Sequence, residues 1–191
     1  MSLFHPLSRA EQFEAMAAEY ERPIYLLCLR MMGNREDAQD CAQEALLRAF
    51  RAFDRFRDDA SPKTWLYRIA YNTCIDELRR RRGVVSLDTL REGGFDVPDA
   101  AAERAYEQLE HKERCELVKQ AMEQLPEDQR AALVLREFQQ LSYEEIADTL
   151  QQPEGTIKSR INRAREKVKN FVKQAEQNGR PSVKENEGRQ K

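Results

Sequence analysis

The amino-acid sequence predicts an all-α protein with two small helical domains joined by a flexible acidic linker. Apolar residues recur at helical spacing along most of the chain, and the alternating pattern of a strand is nearly absent. The 191 residues include only 7 glycines and 7 prolines, a composition suited to helices. We place an N-terminal helical bundle at 8–83, the linker at 84–102, a C-terminal helix-turn-helix domain at 103–173 and a disordered tail at 174–191.

The first two helical segments of the N-terminal domain have recognisable ends. Ser8 and Glu11 can form a capping box, in which each side chain satisfies a backbone N–H of the first turn. Pro23 is expected to start or kink a second segment, because proline lacks a backbone donor. Gly33 can end that segment, since glycine readily adopts the left-handed conformation found after helices.

A third and a fourth helix complete the predicted bundle. Asn34 can cap the third helix, with Asp37 at the third helical position. Ser61 followed by Pro62 is typical of the start of the fourth helix. The apolar stripe of the third helix is expected to face the core and contains Ala38, Cys41, Ala42, Ala45, Leu46, Ala49, Phe50 and Phe53.

The C-terminal domain contains a helix-turn-helix pattern. Ser142 and Glu145 can form a second capping box at the start of a short helix. Pro153 and Gly155 should end that helix, and Thr156 can cap the next one. The residues expected to face inward from the preceding helix and from the two helices of the motif are Ala131, Val134, Leu135, Phe138, Ile146, Ala147, Leu150, Ile157, Ile161, Ala164 and Val168.

Charge is distributed unevenly along the chain. The whole protein has a net charge of −2, whereas 156–173 carries seven Lys and Arg against one Glu, a net charge of +6. Residues 84–110 carry a net charge of −5, which suits a solvated tether. Basic side chains on such a helix bind phosphates and release counterions, so the second helix of the motif is predicted to bind DNA. The alternative is a basic face that contacts only solvent.

Membrane, secreted and metal-dependent classes are disfavoured. No apolar run approaches the roughly 20 residues that span a bilayer, and the N-terminus lacks the pattern of a secretory signal. We therefore expect a cytoplasmic protein without membrane insertion. Cys28, Cys41 and Cys74 fall on apolar helix faces and are expected to be reduced core residues. His111 and Cys115 could provide two metal ligands, but no second pair completes a tetrahedral site, so we expect neither a metal nor a cofactor.

Three segments together resemble bacterial sigma factors. Residues 37–45 and 64–72 resemble regions 2.2 and 2.4 of that family, and 125–160 is similar to its region 4. The resemblance covers about residues 8 to 172, in the expected order, without the further domains of a primary sigma factor. The chain is therefore identified as a member of the two-domain, extracytoplasmic-function class of the sigma-70 family. This resemblance implies a subunit that directs core RNA polymerase to promoters and initiates transcription, and that is not itself an enzyme.

The resemblance assigns a polymerase-docking patch to the third helix. The family positions that contact the clamp helices of the polymerase's largest subunit are Asp40, Gln43, Glu44 and Leu47. An exposed leucine among acidic and amide groups suits docking, because apolar contact provides affinity while charge fixes the register. The alternative is a helix face exposed only to solvent.

Two further sets of residues match the promoter-binding positions of the family. The residues matching the minus-ten recognition and melting elements are Ser61, Lys63, Thr64, Trp65, Arg68, Asn72, Arg79 and Arg80. Trp65 is left open between a core residue and a nucleic-acid contact, and 61–63 depart from the apolar or aromatic residues common there. The residues matching the minus-thirty-five reading helix are Thr156, Lys158, Ser159, Arg160, Asn162 and Arg163. Lys and Arg suit guanine edges, and Asn suits adenine.

The partners implied by the resemblance are core RNA polymerase, promoter DNA and an anti-sigma factor. Region 4 is expected to bind the flap of the polymerase β subunit, and the linker to pass through the RNA channel region. Two other functions compete with this interpretation. A conventional helix-turn-helix regulator would use the N-terminal domain to sense a signal or to dimerise. A nucleic-acid-processing enzyme has little support, because the chain has only 2 histidines and no phosphate-cradling glycine loop.

Overall fold

The computed structural model describes residues 8–56, 61–84 and 105–179. Within these ranges every regular element is helical and no strand occurs, which confirms the predicted fold class. The elements in chain order are α1 (Arg9–Met32), α2 (Arg35–Ala52), a 3-10 turn (Phe53–Arg55), α3 (Pro62–Val84), α4 (Ala105–Glu123), α5 (Glu127–Glu137), α6 (Tyr143–Leu150) and α7 (Glu154–Gly179).

The N-terminal domain is a three-helix bundle of α1, α2 and α3. The capping box of Ser8 and Glu11 is present, and Gly33 ends α1 at a φ of 80°. The second segment expected from Pro23 is wrong as a separate element, because α1 runs continuously through this proline. Ile24 and Leu27 are fully buried just beyond it, so tertiary packing outweighs the hydrogen bond that proline removes.

The predicted starts of α2 and α3 are confirmed. The Asn34 side chain accepts a hydrogen bond of 2.9 Å from the backbone N–H of Asp37. Ser61 precedes Pro62 at the start of α3, and its hydroxyl accepts a 3.4 Å hydrogen bond from the N–H of Thr64. These caps set the directions of α2 and α3, so that Cys41 and Cys74 enter the core beside Cys28 of α1.

In the C-terminal domain, α4 and α5 pack on the long helix α7, and α6 packs against both α5 and α7. The capping box of Ser142 and Glu145 is present at the start of α6. The prediction that Thr156 caps α7 is wrong, since α7 begins two residues earlier and includes Gly155. The Pro153 carbonyl accepts the N–H groups of Thr156 and Ile157 at 2.9 and 3.1 Å, which starts the helix without a side-chain cap.

The end of α7 also differs from the prediction. The helix continues to Gly179, so a disordered tail from residue 174 is wrong for 174–179. Glu176 is held there by Arg114 of α4 at 2.9 Å, which gives the last turns a tertiary partner. Residues 180–191 lie outside the described residues, as does the predicted linker beyond Val84.

The two domains pack against each other in this structure. Helix α1 contacts α5, and α3 contacts α6. Buried side chains of both domains consequently form one continuous cluster. This contact between the domains was not predicted from the sequence, because helical periodicity identifies a buried face without identifying what covers it.

Candidate nucleic-acid and partner interfaces

The second helix of the helix-turn-helix, α7, presents part of its basic face to solvent. Ile157 and Ile161 are fully buried, which fixes the orientation of the helix. Lys158, Asn162 and Arg163 are exposed on the remaining surface. Cationic and amide side chains are thus held on the first turns of a helix anchored in the domain core, a suitable arrangement for reading base edges.

Neighbouring groups orient Lys158. Its ammonium lies 2.5 Å from the Glu154 carboxylate and 5.5 Å from the centre of the Tyr143 ring. The hydrogen bond to Glu154 raises the pKa of Lys158, so the side chain carries its charge at neutral pH. The lysine is therefore a positioned cation on the outer side of α7.

The other three residues predicted to read the minus-thirty-five element are half-buried. Thr156 lies inside α7, where its carbonyl accepts a 2.8 Å hydrogen bond from the Ser159 hydroxyl. The Arg160 guanidinium is 2.9 Å from the Asp128 carboxylate of α5. The structure thus separates the predicted set into three exposed and three half-buried side chains.

The residues predicted to bind the minus-ten element lie along α3 in different environments. Asn72 and Arg79 are exposed, and Arg80 is exposed but paired with Glu77 at 2.7 Å. Thr64 is only 8% exposed, and Arg68 donates a hydrogen bond of 2.6 Å to the carbonyl of Asp148 in α6. The later turns of α3 therefore face solvent, whereas its first turns face the C-terminal domain.

Trp65 belongs to an aromatic cluster at the edge of the N-terminal core. Its ring centre lies 4.7 Å from that of Phe56 and 6.3 Å from that of Phe53. The indole is half-buried. This packing accounts for the tryptophan as a core residue, which is one of the two roles left open by the sequence.

Two of the four predicted polymerase-docking residues, Gln43 and Leu47, line an apolar groove of 390 Å³ formed by α2 and Phe13 of α1. Asp40 and Gln43 are exposed, and Leu47 is 50% exposed. Glu44 is bound to Arg48 at 2.8 Å, and Arg48 also binds Asp76 of α3 at 2.8 Å. The groove is lined by Phe13, Gln43, Leu46, Leu47 and Phe50.

The assignment of Phe50 to the core is wrong. Its side chain is 53% exposed and lies edge-on to Phe13, with ring centres 5.2 Å apart. Gln43, Leu47 and Phe50 are spaced so that they lie on one side of α2, and this helical spacing could have identified Phe50 as part of the exposed face. The predicted apolar stripe is wider than the part of α2 that α1 and α3 cover.

A second apolar groove of 580 Å³ lies between α4, α5 and α7. Its apolar lining includes Val118, Met122, Val168 and Val172, and charged side chains including Lys169 lie around it. Sequence reasoning identified the stripes of the separate helices but missed the groove, which forms only where three helices meet.

Phe138 does not face the interior as expected. It is 44% exposed, and the Arg30 guanidinium of α1 lies 4.0 Å from the centre of its ring. Burial lowers the pKa of Arg30. Phe138 thus contacts the other domain, because α5 ends at Glu137 and the chain turns away from the core of its own domain.

The expected core cysteines are confirmed, since Cys28, Cys41 and Cys74 are buried. Within the described ranges, no group of three His, Cys, Asp or Glu side chains is arranged to hold a metal ion. Cys115 is exposed, and the side chain of His111 lies outside the described residues. No described helix has the length and apolar character needed to cross a bilayer.

The fold and these surfaces define a class: a two-domain, all-helical protein with a helix-turn-helix and two separate apolar grooves. Comparison with known proteins specifies the family. The model of sigma-70 region 2 matches residues 16–84, and the model of sigma-70 region 4 matches residues 115–168.

Relatives extend the match across most of the chain. The RNA polymerase sigma-H factor of Pseudomonas aeruginosa is 43% identical over 165 residues, covering 82% of this chain and 83% of that protein. The sigma-E factor of Escherichia coli K12 is 38% identical over 165 residues, covering 84% and 86%. The sigma factor RpoE of Bartonella quintana, solved in complex with the anti-sigma factor NepR, superposes with a TM-score of 0.68 at 26% identity, covering 85% and 97%.

The chain belongs to the sigma-70 family of RNA polymerase sigma factors, in its extracytoplasmic-function class. It accordingly acts in promoter-specific initiation of transcription with RNA polymerase. Members of this family are initiation factors rather than catalytic enzymes. The match to both sigma regions in one chain favours this identification over a conventional helix-turn-helix regulator.

Proposed function

We propose that this chain reads the minus-thirty-five element with α7 and the minus-ten element with α3, while α2 holds it on core polymerase. The observation that carries the proposal is that one chain combines an exposed basic face on α7 with an exposed apolar groove on α2. The first surface fits duplex DNA, and the second fits a protein partner. A promoter-specificity subunit requires both surfaces at once.

The face of α7 supplies the chemistry for duplex recognition. Arg163 can donate two hydrogen bonds to the O6 and N7 atoms of guanine, and Asn162 can pair with the N6 and N7 atoms of adenine. Lys158, held by Glu154, lies one turn before Asn162 and suits either a guanine edge or a phosphate. The exposed lysines farther along α7, including Lys167, would add affinity that is independent of sequence.

The face of α3 supplies a surface for separated strands. Asn72 and Arg79 are exposed about two turns apart, so an amide could bind an unstacked base while a guanidinium binds the backbone. Thr64 and Arg68 extend this face toward the start of the helix. Melting needs no hydrolysis by the sigma factor; it requires that separated bases be bound more tightly than the paired duplex.

The groove on α2 is proposed to hold the clamp helices of the largest polymerase subunit. Leu47 and Phe50 offer apolar area that its own domain leaves uncovered. Asp40 adds a negative charge at the edge, which would favour a basic surface on the partner. Apolar side chains surrounded by polar ones are typical of a specific interface.

The groove between α4, α5 and α7 is proposed to hold the flap of the β subunit. Val168 and Val172 form part of an apolar floor suited to an amphipathic helix. Lys169 and Lys173 at its edge would favour an acidic sequence beside the apolar residues of the flap. With the α2 groove, this gives each domain its own contact with core polymerase, which would fix the spacing between α3 and α7.

An anti-sigma factor is proposed as the antagonist. The Bartonella quintana sigma factor was solved bound to the anti-sigma factor NepR. The groove that contains Leu47 and the groove that contains Val172 are surfaces that such a protein could cover, and covering either one would prevent docking on the polymerase.

The test is run-off transcription with reconstituted polymerase and sequencing of the transcript starts. We expect core polymerase with this chain to produce RNA from a restricted set of start sites that share two upstream elements. Core polymerase alone, and core polymerase with the Leu47→Asp variant, serve as controls and should not produce these transcripts. Absence of promoter-specific RNA from the parent chain would refute the proposal.

A further inference from the structure

The later turns of α3 place a carboxylate between two groups suited to DNA. Within 69–80 the exposed residues are Asn72, Asp76, Arg79 and Arg80. Asp76 follows Asn72 by four residues and precedes Arg79 by three, so these three side chains lie on one side of the helix. A strand that contacts both Asn72 and Arg79 therefore passes over Asp76.

A carboxylate at this position is unfavourable for binding DNA. The Asp76 side chain is 56% exposed. Like charges brought together in an interface repel each other, and the phosphates of the strand are negative. The face that contains Asn72 and Arg79 therefore needs a cation beside Asp76 if it is to bind a strand.

Helix α2 supplies that cation. Nη1 of Arg48 donates a hydrogen bond of 2.8 Å to Oδ2 of Asp76. The two residues are 28 positions apart in the chain, so the helical spacing within α2 or α3 does not reveal the contact. On α3 itself, the neighbouring Arg80 is bound to Glu77 at 2.7 Å.

Arg48 has a second carboxylate partner on its own helix. Its Nε donates a hydrogen bond of 2.8 Å to Oε1 of Glu44, a residue of the proposed docking surface. The Arg48 side chain is 41% exposed, so two charge-assisted hydrogen bonds hold the guanidinium in place without deep burial. One guanidinium thus binds a carboxylate from each of the two proposed surfaces.

We propose that Arg48 is a positioning residue of the minus-ten surface, contributed by α2, and that it acts by neutralising Asp76. The bound guanidinium offsets the repulsion between this carboxylate and the backbone of a strand held by Asn72 and Arg79. The residues selected for this element from family positions all lie within 61–80, so the surface extends beyond α3 onto α2. This inference rests on the proposed role of α3.

Two other roles for Arg48 predict different responses to mutation. If Arg48 served only to hold Glu44, its loss would weaken binding to core polymerase, and a change at Asp76 would not restore that binding. If Arg48 served only to tie α2 to α3, removal of either Arg48 or Asp76 would break the same tie and have the same effect. Neutralisation alone predicts that removing the charge of Asp76 repairs the loss of Arg48.

The experiment uses reconstituted holoenzyme containing Arg48→Ala, Asp76→Asn or both substitutions. Asparagine keeps the shape of aspartate and removes its charge. Arg51→Ala removes the charge of Arg48→Ala from another exposed position of α2 and is the matched control. Urea denaturation of each free chain and binding to immobilised core polymerase establish that every variant folds and docks, so that holoenzyme is assembled at saturation.

The measured quantity is the affinity of holoenzyme for a fluorescent single-stranded oligonucleotide that carries the minus-ten element of a mapped start site. Arg48→Ala should lower this affinity about threefold to fivefold, because Asp76 then faces the backbone uncompensated. Adding Asp76→Asn should restore it to within about twofold of the parent. Asp76→Asn alone and Arg51→Ala should not lower it. The loss caused by Arg48→Ala should shrink as salt is raised, since exposed charges are screened.

The outcomes separate this inference from the proposed function. Unchanged affinity in Arg48→Ala, or an equal loss in the double variant, would refute neutralisation of Asp76 by Arg48. A loss caused by Asp76→Asn alone, or an equal loss in Arg51→Ala, would refute it as well. All four results leave the role of α3 intact, provided that the parent holoenzyme binds the oligonucleotide. If the parent holoenzyme binds it no more tightly than core polymerase alone, the proposed role of α3 is itself refuted.

Discussion

The two helices proposed to bind DNA differ in what lies against them. Helix α7 is anchored by Ile157 and Ile161 and keeps Arg163 exposed to solvent. Helix α3 is anchored equally well in its own domain, but Arg68 on its outer side is bound to α6. Anchoring a helix therefore does not determine whether its functional face is accessible, since accessibility depends on the neighbouring domain.

The two helices also differ in the partners of their basic side chains. In α7 most basic side chains are exposed, and Lys158 pairs with Glu154 of the same helix, whereas Arg160 and Arg165 pair with carboxylates of α5. At the far end of α3, Arg81 is paired with Asp37 of α2 and with Glu77. The exposed cations of α7, such as Arg163, are thus available to an external partner, whereas Arg81 of α3 ties this helix to α2.

The largest expected effect comes from loosening the anchor of α7. Ile161→Ala should destabilise the C-terminal domain by about 2–5 kcal/mol, because it leaves a cavity at a fully buried position. Asn162→Ala, at the exposed neighbouring position, should change stability by less than about 0.5 kcal/mol. The measurement is the free energy of unfolding from urea denaturation. Equal effects of the two substitutions would contradict the assignment of the buried face.

The docking groove on α2 should give the next largest effect. Leu47→Ala combined with Phe50→Ala should weaken binding to core polymerase by about 2–3 kcal/mol, since two exposed apolar side chains would lose their burial against the partner. Binding of the free chain to minus-thirty-five duplex should be unaffected. Binding to immobilised core polymerase measures the affinity for the enzyme, and fluorescence anisotropy measures the affinity for the duplex. Loss of both affinities would indicate that α2 and α7 do not act independently.

Arg163 tests the open face of α7 directly. Arg163→Ala should lower the affinity for minus-thirty-five duplex by about 1–3 kcal/mol, the usual effect of losing a bidentate base contact. Arg22→Ala removes the same charge from an exposed position of α1 and serves as the control. Anisotropy titrations at one fixed salt concentration provide the comparison. If the Arg163 variant lost comparable affinity for core polymerase, the assignment of Arg163 to recognition of the minus-thirty-five duplex would be refuted.

Local signals in the sequence predicted most of the fold. The capping boxes at Ser8 and Ser142 are confirmed because each depends on residues within one turn. Errors arose where a distant contact decides the outcome. Phe50 and Phe138 are apolar and have helical spacing, yet both are exposed. Phe50 borders an open groove, and Phe138 contacts Arg30 of the N-terminal domain. The residues proposed to bind promoter DNA could be selected from family positions, but the covering of Arg68 by α6 depends on how the domains pack.

The smallest expected effect concerns the charge network at the end of α3. The hydrogen bond from Arg80, together with that from Arg81, lowers the pKa of Glu77 to about 2, compared with about 4.3 in an unfolded chain. Because the folded pKa is the lower one, this stabilisation is fully present above about pH 5 and is lost as the pH falls toward 2. Its size should be about 1 kcal/mol, since solvent screens a pair near the surface.

Glu77→Gln isolates this contribution. The free energy of unfolding of the parent should fall more steeply between pH 5 and 3 than that of the variant, and the two should differ most at neutral pH. Glu154→Gln is the matched control in the C-terminal domain, where the carboxylate pairs with Lys158 on an exposed surface. That substitution should leave the pH dependence nearly unchanged, because an exposed pair within one helix contributes little. If Glu154→Gln changed the pH dependence of the free energy of unfolding more than Glu77→Gln, the result would contradict the distinction between exposed cations on α7 and structural cations on α3.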